Sequence, residues 1–253
     1  MPTKIRRSLF IGLGGTGMKA LLYTKKMFVE TYGEVPDMVG FLGVDTDGGE
    51  YKKSIPSIRG DVSLEPSEQT QILVRQDPQP VYTKNVARFA WFPPENLRNL
   101  VNMTIGAGAI RSNGRFAITY NETVLIRKIQ QVINNIMNVN TAINRKYELL
   151  SSELEIHVVF SVCGGTGSGT FINMAYLLRE LAPQSKVYAY AVLPGIFDAM
   201  INQQAAKAKI PSNAYGSLLD LDYLMHISLA DSPVNIDYLN RTYTTNTRPF
   251  DAV

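Results

Sequence analysis

The stretch "VFSVCGGTGSGTFINMAYLL", residues 159–178, sets glycines, threonines and a serine between two apolar segments. Backbone amides and small hydroxyls are the chemistry it offers, and both suit phosphate oxygens. A phosphate loop of the G-x-x-x-x-G-K-[ST] kind would also carry a lysine. None stands between Gly164 and Thr170. Binding would rest instead on the amides of Gly164, Gly165, Thr166, Gly167 and Ser168, the hydroxyls of Thr166 and Ser168, and the positive end of the following helix. The missing positive charge would then come from a metal. A tight structural turn is the alternative, but six small residues after a buried strand are costly in conformational entropy unless a ligand uses them.

Three other loops offer related chemistry. "IGLGGTGMKA" places Gly12, Gly14 and Gly17 in G-x-G-x-x-G spacing, which lets amides approach an anion at a helix start or simply makes a tight strand-to-helix turn. "VDTDGGE" ends a strand with Asp45 and Asp47 around Thr46. Its carboxylates could hold a ribose, or Mg2+ on a nucleoside triphosphate, and the same residue types also serve as turn and helix caps. "GAGAIRSNGR" joins Gly106, Gly108 and Gly114 to Arg111 and Arg115, a set that can approach and neutralise a phosphate or form a solvated loop. Cys163 reads as a small buried hydrophobe at a strand end, Trp91 as a packing anchor, and His157 and His226 as structural.

These loops need a scaffold that brings strand ends to one edge. "RSLFIGL" reads as a strand, "MKALLYTKKMFVETY" as a helix and "MVGFLGVDTD" as a second strand. From 52 to 103 six prolines interrupt the pattern, which predicts an inserted surface excursion with a short helix near 66–76. A helix through "NETVLIRKIQQVINNIMNVNTAI" follows, with Val124, Ile129, Val132, Ile133, Ile136 and Ile143 at helical spacing. "LEIHVVFSV" and "KVYAYAVL" are strands on either side of the helix "TFINMAYLLREL". A long helix over about 200–227 is apolar at Leu218, Leu219, Leu221 and Leu224. Near-continuous apolar strands between helices predict an α/β fold with a doubly wound, mostly parallel sheet, whose ligands bind at the carboxyl ends of the strands.

Composition narrows the function classes. A chain of 253 residues with 45% hydrophobic and 19% charged residues can bury a substantial core. A net charge of +3 over that length does not argue for nucleic acid or an anionic membrane as partner. One cysteine excludes an internal disulfide and a multi-cysteine metal site, and it fits a cytoplasmic location. No apolar run reaches the roughly 18 residues of a membrane span.

In order, the four loops resemble those of the tubulin/FtsZ family of GTPases, over residues 5–240 with a gap at 52–103. "GGTGSG" at 164–169 is similar to the family signature G-G-G-T-G-S-G, with Cys163 where the first glycine usually stands. "GLGGTGMKA", "FLGVDTDGGEYKKS" and "GAGAIRSNGR" resemble the first three phosphate loops, and "AVLPGIFDAM" the fifth. The resemblance is to a divergent member. It implies GTP or GDP with Mg2+ in a site where Gly12, Gly14, Gly15 and Thr16 meet the α- and β-phosphates, and Gly164 to Ser168 surround the β- and γ-phosphates. Asp45 and Asp47 would lie near Mg2+, with Thr46 between them. Gly106, Ala107 and Gly108 would lie near the γ-phosphate with Arg111 beside them, and Asp198 at the ribose. Asn213, on the long central helix, would read the guanine edge with Lys19 nearby. A lysine can only donate, so it matches guanine less fully than an amide does.

The resemblance also implies head-to-tail filaments in which each subunit completes its neighbour's hydrolytic site through a loop G-x-x-N-x-D-x-x-[DE]. "SPVNIDYLN" offers Asn235, Asp237 and Asn240 for that role, with Ser232 replacing the glycine and an amide replacing the last acid. An amide cannot accept a proton from water, and a plain hairpin is the other reading of this stretch. Residues 1–228 would form the nucleotide-binding domain, and 229–253 a loop and the start of a truncated C-terminal region. Two competitors stand beside this assignment: a Rossmann oxidoreductase using Gly12, Gly14, Gly17 and Asp45 with NAD or FAD, and a non-hydrolysing, nucleotide-regulated scaffold.

Overall fold

The computed structural model describes residues 2–74, 77–99, 106–140, 146–197, 204–229 and 233–253. β1 (Thr3–Leu13), α1 (Gly14–Tyr32) and β2 (Val39–Asp45) form the first strand-helix-strand unit. An antiparallel ribbon of β3 (Ser54–Ile55) and β4 (Val62–Ser63) follows, then β5 (Gln69–Gln71), α2 (Pro78–Lys84), α3 (Arg111–Tyr120) and α4 (Glu122–Met137). β6 (Tyr147–Ser161), α5 (Thr166–Leu181) and β7 (Lys186–Val192) make the second unit. α6 (Gln204–Lys207), α7 (Ile210–Met225) and an antiparallel hairpin of β8 (Val234–Asp237) and β9 (Thr242–Thr245) complete it.

The five strands β5-β2-β1-β6-β7 form one parallel sheet, the doubly wound α/β architecture the apolar runs predict. β1 is central, so both faces of its second half are covered, and Leu9–Leu13 carries no polar side chain. On one face Leu9, Ile11 and Leu13 pack with Ile129 of α4, Phe171 of α5 and Leu221 of α7. On the other, Phe10 packs against a smaller core holding Met18, Leu21 and Leu22 of α1. Each such fully buried aliphatic side chain contributes about 1.5–3 kcal/mol.

Several local expectations are corrected. The segment after residue 52 is not a surface excursion: β5 pairs with β2, and Ile72, Val74, Phe89 and Phe92 are buried in the main core. Three of its prolines, Pro66, Pro78 and Pro94, sit at helix starts, where a missing N–H is harmless. Tyr51 crosslinks the new edge strand, its hydroxyl accepting from the Asp45 N–H at 2.8 Å and lying 2.7 Å from the Thr70 carbonyl. The short helix near 66–76 is only a 3-10 turn, Pro66–Glu68, before β5.

The long helix over 200–227 is divided at residues 208–209 into α6 and α7, and α7 flanks α5. Its leucines span more than one face, so Leu221 and Leu224 are buried while Leu218 and Leu219 stay 41% and 55% exposed. In α4 the buried stripe is Leu125, Ile129, Val132 and Ile136; Val124 faces solvent, and Ile143 lies outside the described residues. After β9 the chain runs beside β7, where Asp251 N–H donates to the Val187 carbonyl and Ala189 N–H to that of Ala252.

Candidate functional site

Parallel strands end at a common edge, and there β1 runs straight into α1 while β6 reaches α5 through residues 162–165. Neither helix start is capped by a side chain. Their first amides therefore face the same edge without a partner from a capping residue, and the two helix dipoles add positive potential. The glycines permit this geometry in different ways. A Cβ on Gly12 would stand 2.4 Å from the Gly17 carbonyl oxygen, so this pair serves close contact of strand and helix. Gly14 has φ +71°, which turns the chain into the helix.

Between these helix starts, β2 and the 106–109 segment lies a cleft of about 240 Å3. Gly15, Gly165 and Thr166 form its glycine-rich wall. Gly106, Ala107, Gly108 and Ala109 close it from above, with φ at +104° for Gly106, +61° for Gly108 and +54° for Ala109. Asp45, Thr46, Asp47 and Glu50 supply the remaining side. Asp45 is 3% exposed, and its Oδ1 accepts from the Thr46 N–H at 2.7 Å, the Asp47 N–H at 3.2 Å and the Thr166 hydroxyl at 3.0 Å. Burial nevertheless holds its carboxyl above the ordinary value. Thr46 and Thr166 are joined at 2.7 Å through their hydroxyls, so β2 and α5 are tied at the cleft floor. Asp47 accepts from the Gly49 N–H at 2.8 Å, capping the 3-10 turn Gly48–Lys52.

The described lining thus holds three carboxylates and no lysine or arginine. Among the described residues no three His, Cys, Asp or Glu side chains are grouped to hold a metal by themselves. Such a donor set fits Mg2+, which is commonly bound by one or two carboxylates plus the phosphates of a ligand. Asp47 and Glu50 reach the cleft for that role, and a Cβ on Gly15 would meet only the Glu50 carboxyl, at 3.3 Å.

The structure brings together Gly15, Asp45, Thr46, Asp47, Gly106, Ala107, Gly108, Gly165 and Thr166. Gly14 packs behind them, its Cβ position 3.0 Å from the Gly167 nitrogen, and Gly12, Thr16, Gly164 and Gly167 do not line the cleft. The two hydroxyls expected on phosphate are already engaged: Thr166 with Asp45 and Thr46, and Ser168, fully buried, with the Gly164 carbonyl. Arg111 points away from the cleft, its Nε donating to the Ser168 carbonyl at 3.0 Å and its guanidinium pairing with Asp220.

Lys19 and Asn213, expected beside one base, lie on helices that cover opposite faces of the sheet. Asn213 donates both its amide hydrogens to backbone carbonyls, Cys163 at 2.9 Å and Ala109 at 3.0 Å. It clamps the two loops together. Asp198 lies outside the described residues.

Asn235, Asp237 and Asn240 belong to the β8–β9 hairpin and its turn, which rests on α3 and α5. Leu239 N–H donates to the Thr119 carbonyl, and the Tyr238 hydroxyl to that of Asn173. Asn235 and Asp237 accept from the hydroxyls of Thr244 and Thr242, at 2.8 and 2.7 Å. Cys163 is buried, and His157 stacks between Phe10 and Tyr188, consistent with structural roles. Sequence reasoning missed Glu50 and Ala109 in the cleft. Glu50, three residues past Asp47, was within reach of notice; nothing marks Ala109.

A family model described as "Tubulin like" matches residues 9–253. No curated protein sequence matches the chain. Among solved structures, CetZ from Methanosaeta thermophila strain DSM 6194 aligns at TM-score 0.50 and 16% identity, covering 85% of this chain and 42% of that one. CetZ1 from Haloferax volcanii, a GDP-bound monomer, aligns at 0.48 and 15% over 85% of this chain and 47% of that one. TubZ of Bacillus thuringiensis serovar israelensis, in a GTPyS-form protofilament, aligns at 0.46 and 16% over 89% and 43%. The chain spans less than half the length of these solved proteins.

Proposed function

The chain belongs to the tubulin-like family, and on that premise we propose that its cleft binds a guanine nucleotide, GTP or GDP, together with Mg2+. One observation carries this reading. Two uncapped helix starts, from adjacent parallel strands, face a cleft whose described side chains are acidic. Amides and dipoles attract phosphate oxygens, while Asp45, Asp47 and Glu50 would repel them unless a divalent cation comes between. Phosphates and Mg2+ satisfy both halves of the site at once. The amides of Gly15, Gly165 and Thr166 would hold phosphate oxygens, and Asp47 and Glu50 would hold the cation or its waters. Bound Mg2+ would neutralise charge on the phosphate oxygens.

Under this proposal the protein is cytoplasmic, and copies associate head to tail, since a heterologous contact that does not close on itself propagates into a filament. Hydrolysis is a further step. It would place Asn235, Asp237 and Asn240 of one copy against the cleft of the next, and would require the Asn235–Thr244 and Asp237–Thr242 bonds to open. A non-hydrolysing, nucleotide-regulated scaffold uses the same cleft without that step.

Denaturing the purified protein and identifying the released nucleotide tests the proposal, with GTP added first to protein isolated empty. Guanine nucleotide retained in Mg2+ and released on denaturation supports it. NAD or FAD in the supernatant would instead establish the Rossmann oxidoreductase.

A further inference from the structure

A second cavity, of about 500 Å3, opens between the starts of α3 and α7. Among the described residues it shares only Ala109 with the acidic cleft, and its charge is opposite: Arg111, Arg115 and Lys209 line it. Arg111 is compensated by Asp220. Arg115 is not. Its guanidinium carbon lies 4.1 Å from the centre of the Trp91 ring. Among the described residues it has no hydrogen bond or ion pair, and its Nε is fully buried. Burial, and then the charge of Arg111, push its pKa down to about 10, with Asp220 and Asp237 offsetting part of the shift. Ser112 also lines the cavity, its hydroxyl oxygen buried and without a partner among the described residues. Lys209 donates to the Gly108 carbonyl at 2.9 Å and has no carboxylate within ion-pair distance among the described residues.

A partly buried cation without an ion pair is costly. Arg115 and Lys209 would both be paired by one kind of occupant: an anion with several acceptor oxygens. α3 is ten residues long and begins here with no side-chain cap, so the amides of its first turn add donors. We propose that this cavity is a binding site for the phosphate group of a small molecule, separate from the acidic cleft and independent of the guanine-nucleotide reading. Arg115 supplies a guanidinium fork and Lys209 a second charge. The cavity volume falls in the range of small-molecule sites, so the group can be free phosphate or carried on an organic body. Lys209 and Asn213 also hold the 108–109 backbone, so an occupant would touch the loop that roofs the other cleft.

The test uses Trp91, the only tryptophan in the chain and part of this cavity. Its emission is titrated with inorganic phosphate, with ribose 5-phosphate and with chloride at matched ionic strength. A saturable change with a phosphate probe, absent with chloride, is expected. Lys209→Gln should weaken it by about tenfold, and Arg115→Gln more. Equal response to both probes assigns the site to free phosphate; saturation with the ester alone assigns it to a phosphorylated organic molecule. The proposal is overturned if neither probe saturates beyond chloride, or if the midpoint is unmoved in Lys209→Gln. That half-buried residue can be replaced even if the Arg115 variant fails to fold.

Discussion

Adjacent glycines in the central loop should respond oppositely to the same substitution. A Cβ on Gly165 would stand 2.8 Å from the Ile110 nitrogen, 2.9 Å from the Ala107 Cβ and 3.1 Å from the Ala109 Cα. All three atoms belong to backbone or to a side chain that cannot rotate away, so the 106–110 loop must move. Overpacking of this kind costs about 1–3 kcal/mol. For a chain of this size each kcal/mol lowers Tm by about 2–4 °C, so a cost near 2 kcal/mol predicts a fall of about 4–8 °C for Gly165→Ala. A Cβ on Gly164 meets nothing within 4 Å, and the residue is not in the left-handed region. Gly164→Ala should then leave Tm unchanged or raise it slightly, because it stiffens the unfolded chain by about 0.4–1 kcal/mol. Thermal unfolding of the two variants, with and without GTP and Mg2+, reads the difference. The displaced roof should also weaken nucleotide binding in Gly165→Ala. Equal Tm values for the two variants would refute the packing of loop 106–110 on the start of α5.

Two other consequences are open to measurement. Burial raises the folded pKa of Asp45, so the folded state holds that proton more tightly than the unfolded chain; the stability this contributes is present below the unfolded value of about 3.9 and lost as pH rises through the folded one. Asp45→Asn removes this loss, so denaturant unfolding should show its stability moving in the variant's favour, relative to wild type, between about pH 4 and pH 7. Arg241 joins Glu180 and the buried Glu122, and the two carboxylates hold its guanidinium protonated. Arg241→Ala leaves Glu122 uncompensated, at about 2–4 kcal/mol once the exposed third of Arg241 is allowed for, and should free the β8–β9 hairpin to limited proteolysis.

The sheet was legible because β1, β2, β6 and β7 are apolar runs broken by glycine or acidic ends. β5 was hidden: Gln69, Thr70 and Gln71 form a short polar edge strand, specified by pairing with β2 rather than by a pattern of its own. α3 was hidden for a related reason. Gly114 made its stretch look like a loop, yet a side chain there would come within 2.2 Å of the Gly165 carbonyl, so the glycine serves helix contact. The loops of the cleft were legible in order, since chain order sets which strand ends share an edge. Which residues line the cleft was not. Thr166 and Ser168 look like phosphate hydroxyls until their bonds to Asp45 and Gly164 are seen. Lys19 and Asn213 stand on helices that cover opposite faces of the sheet, which chain order alone does not reveal.

The most direct test of the acidic cleft as a nucleotide site is calorimetric titration of the protein with GTP, in Mg2+ and again in EDTA. Three described carboxylates, of which only Glu50 is paired with a described cation, Lys53 at 2.5 Å, predict saturable binding in Mg2+ that weakens at least about tenfold in EDTA. Equal affinity in both, or no binding in either, would contradict the account.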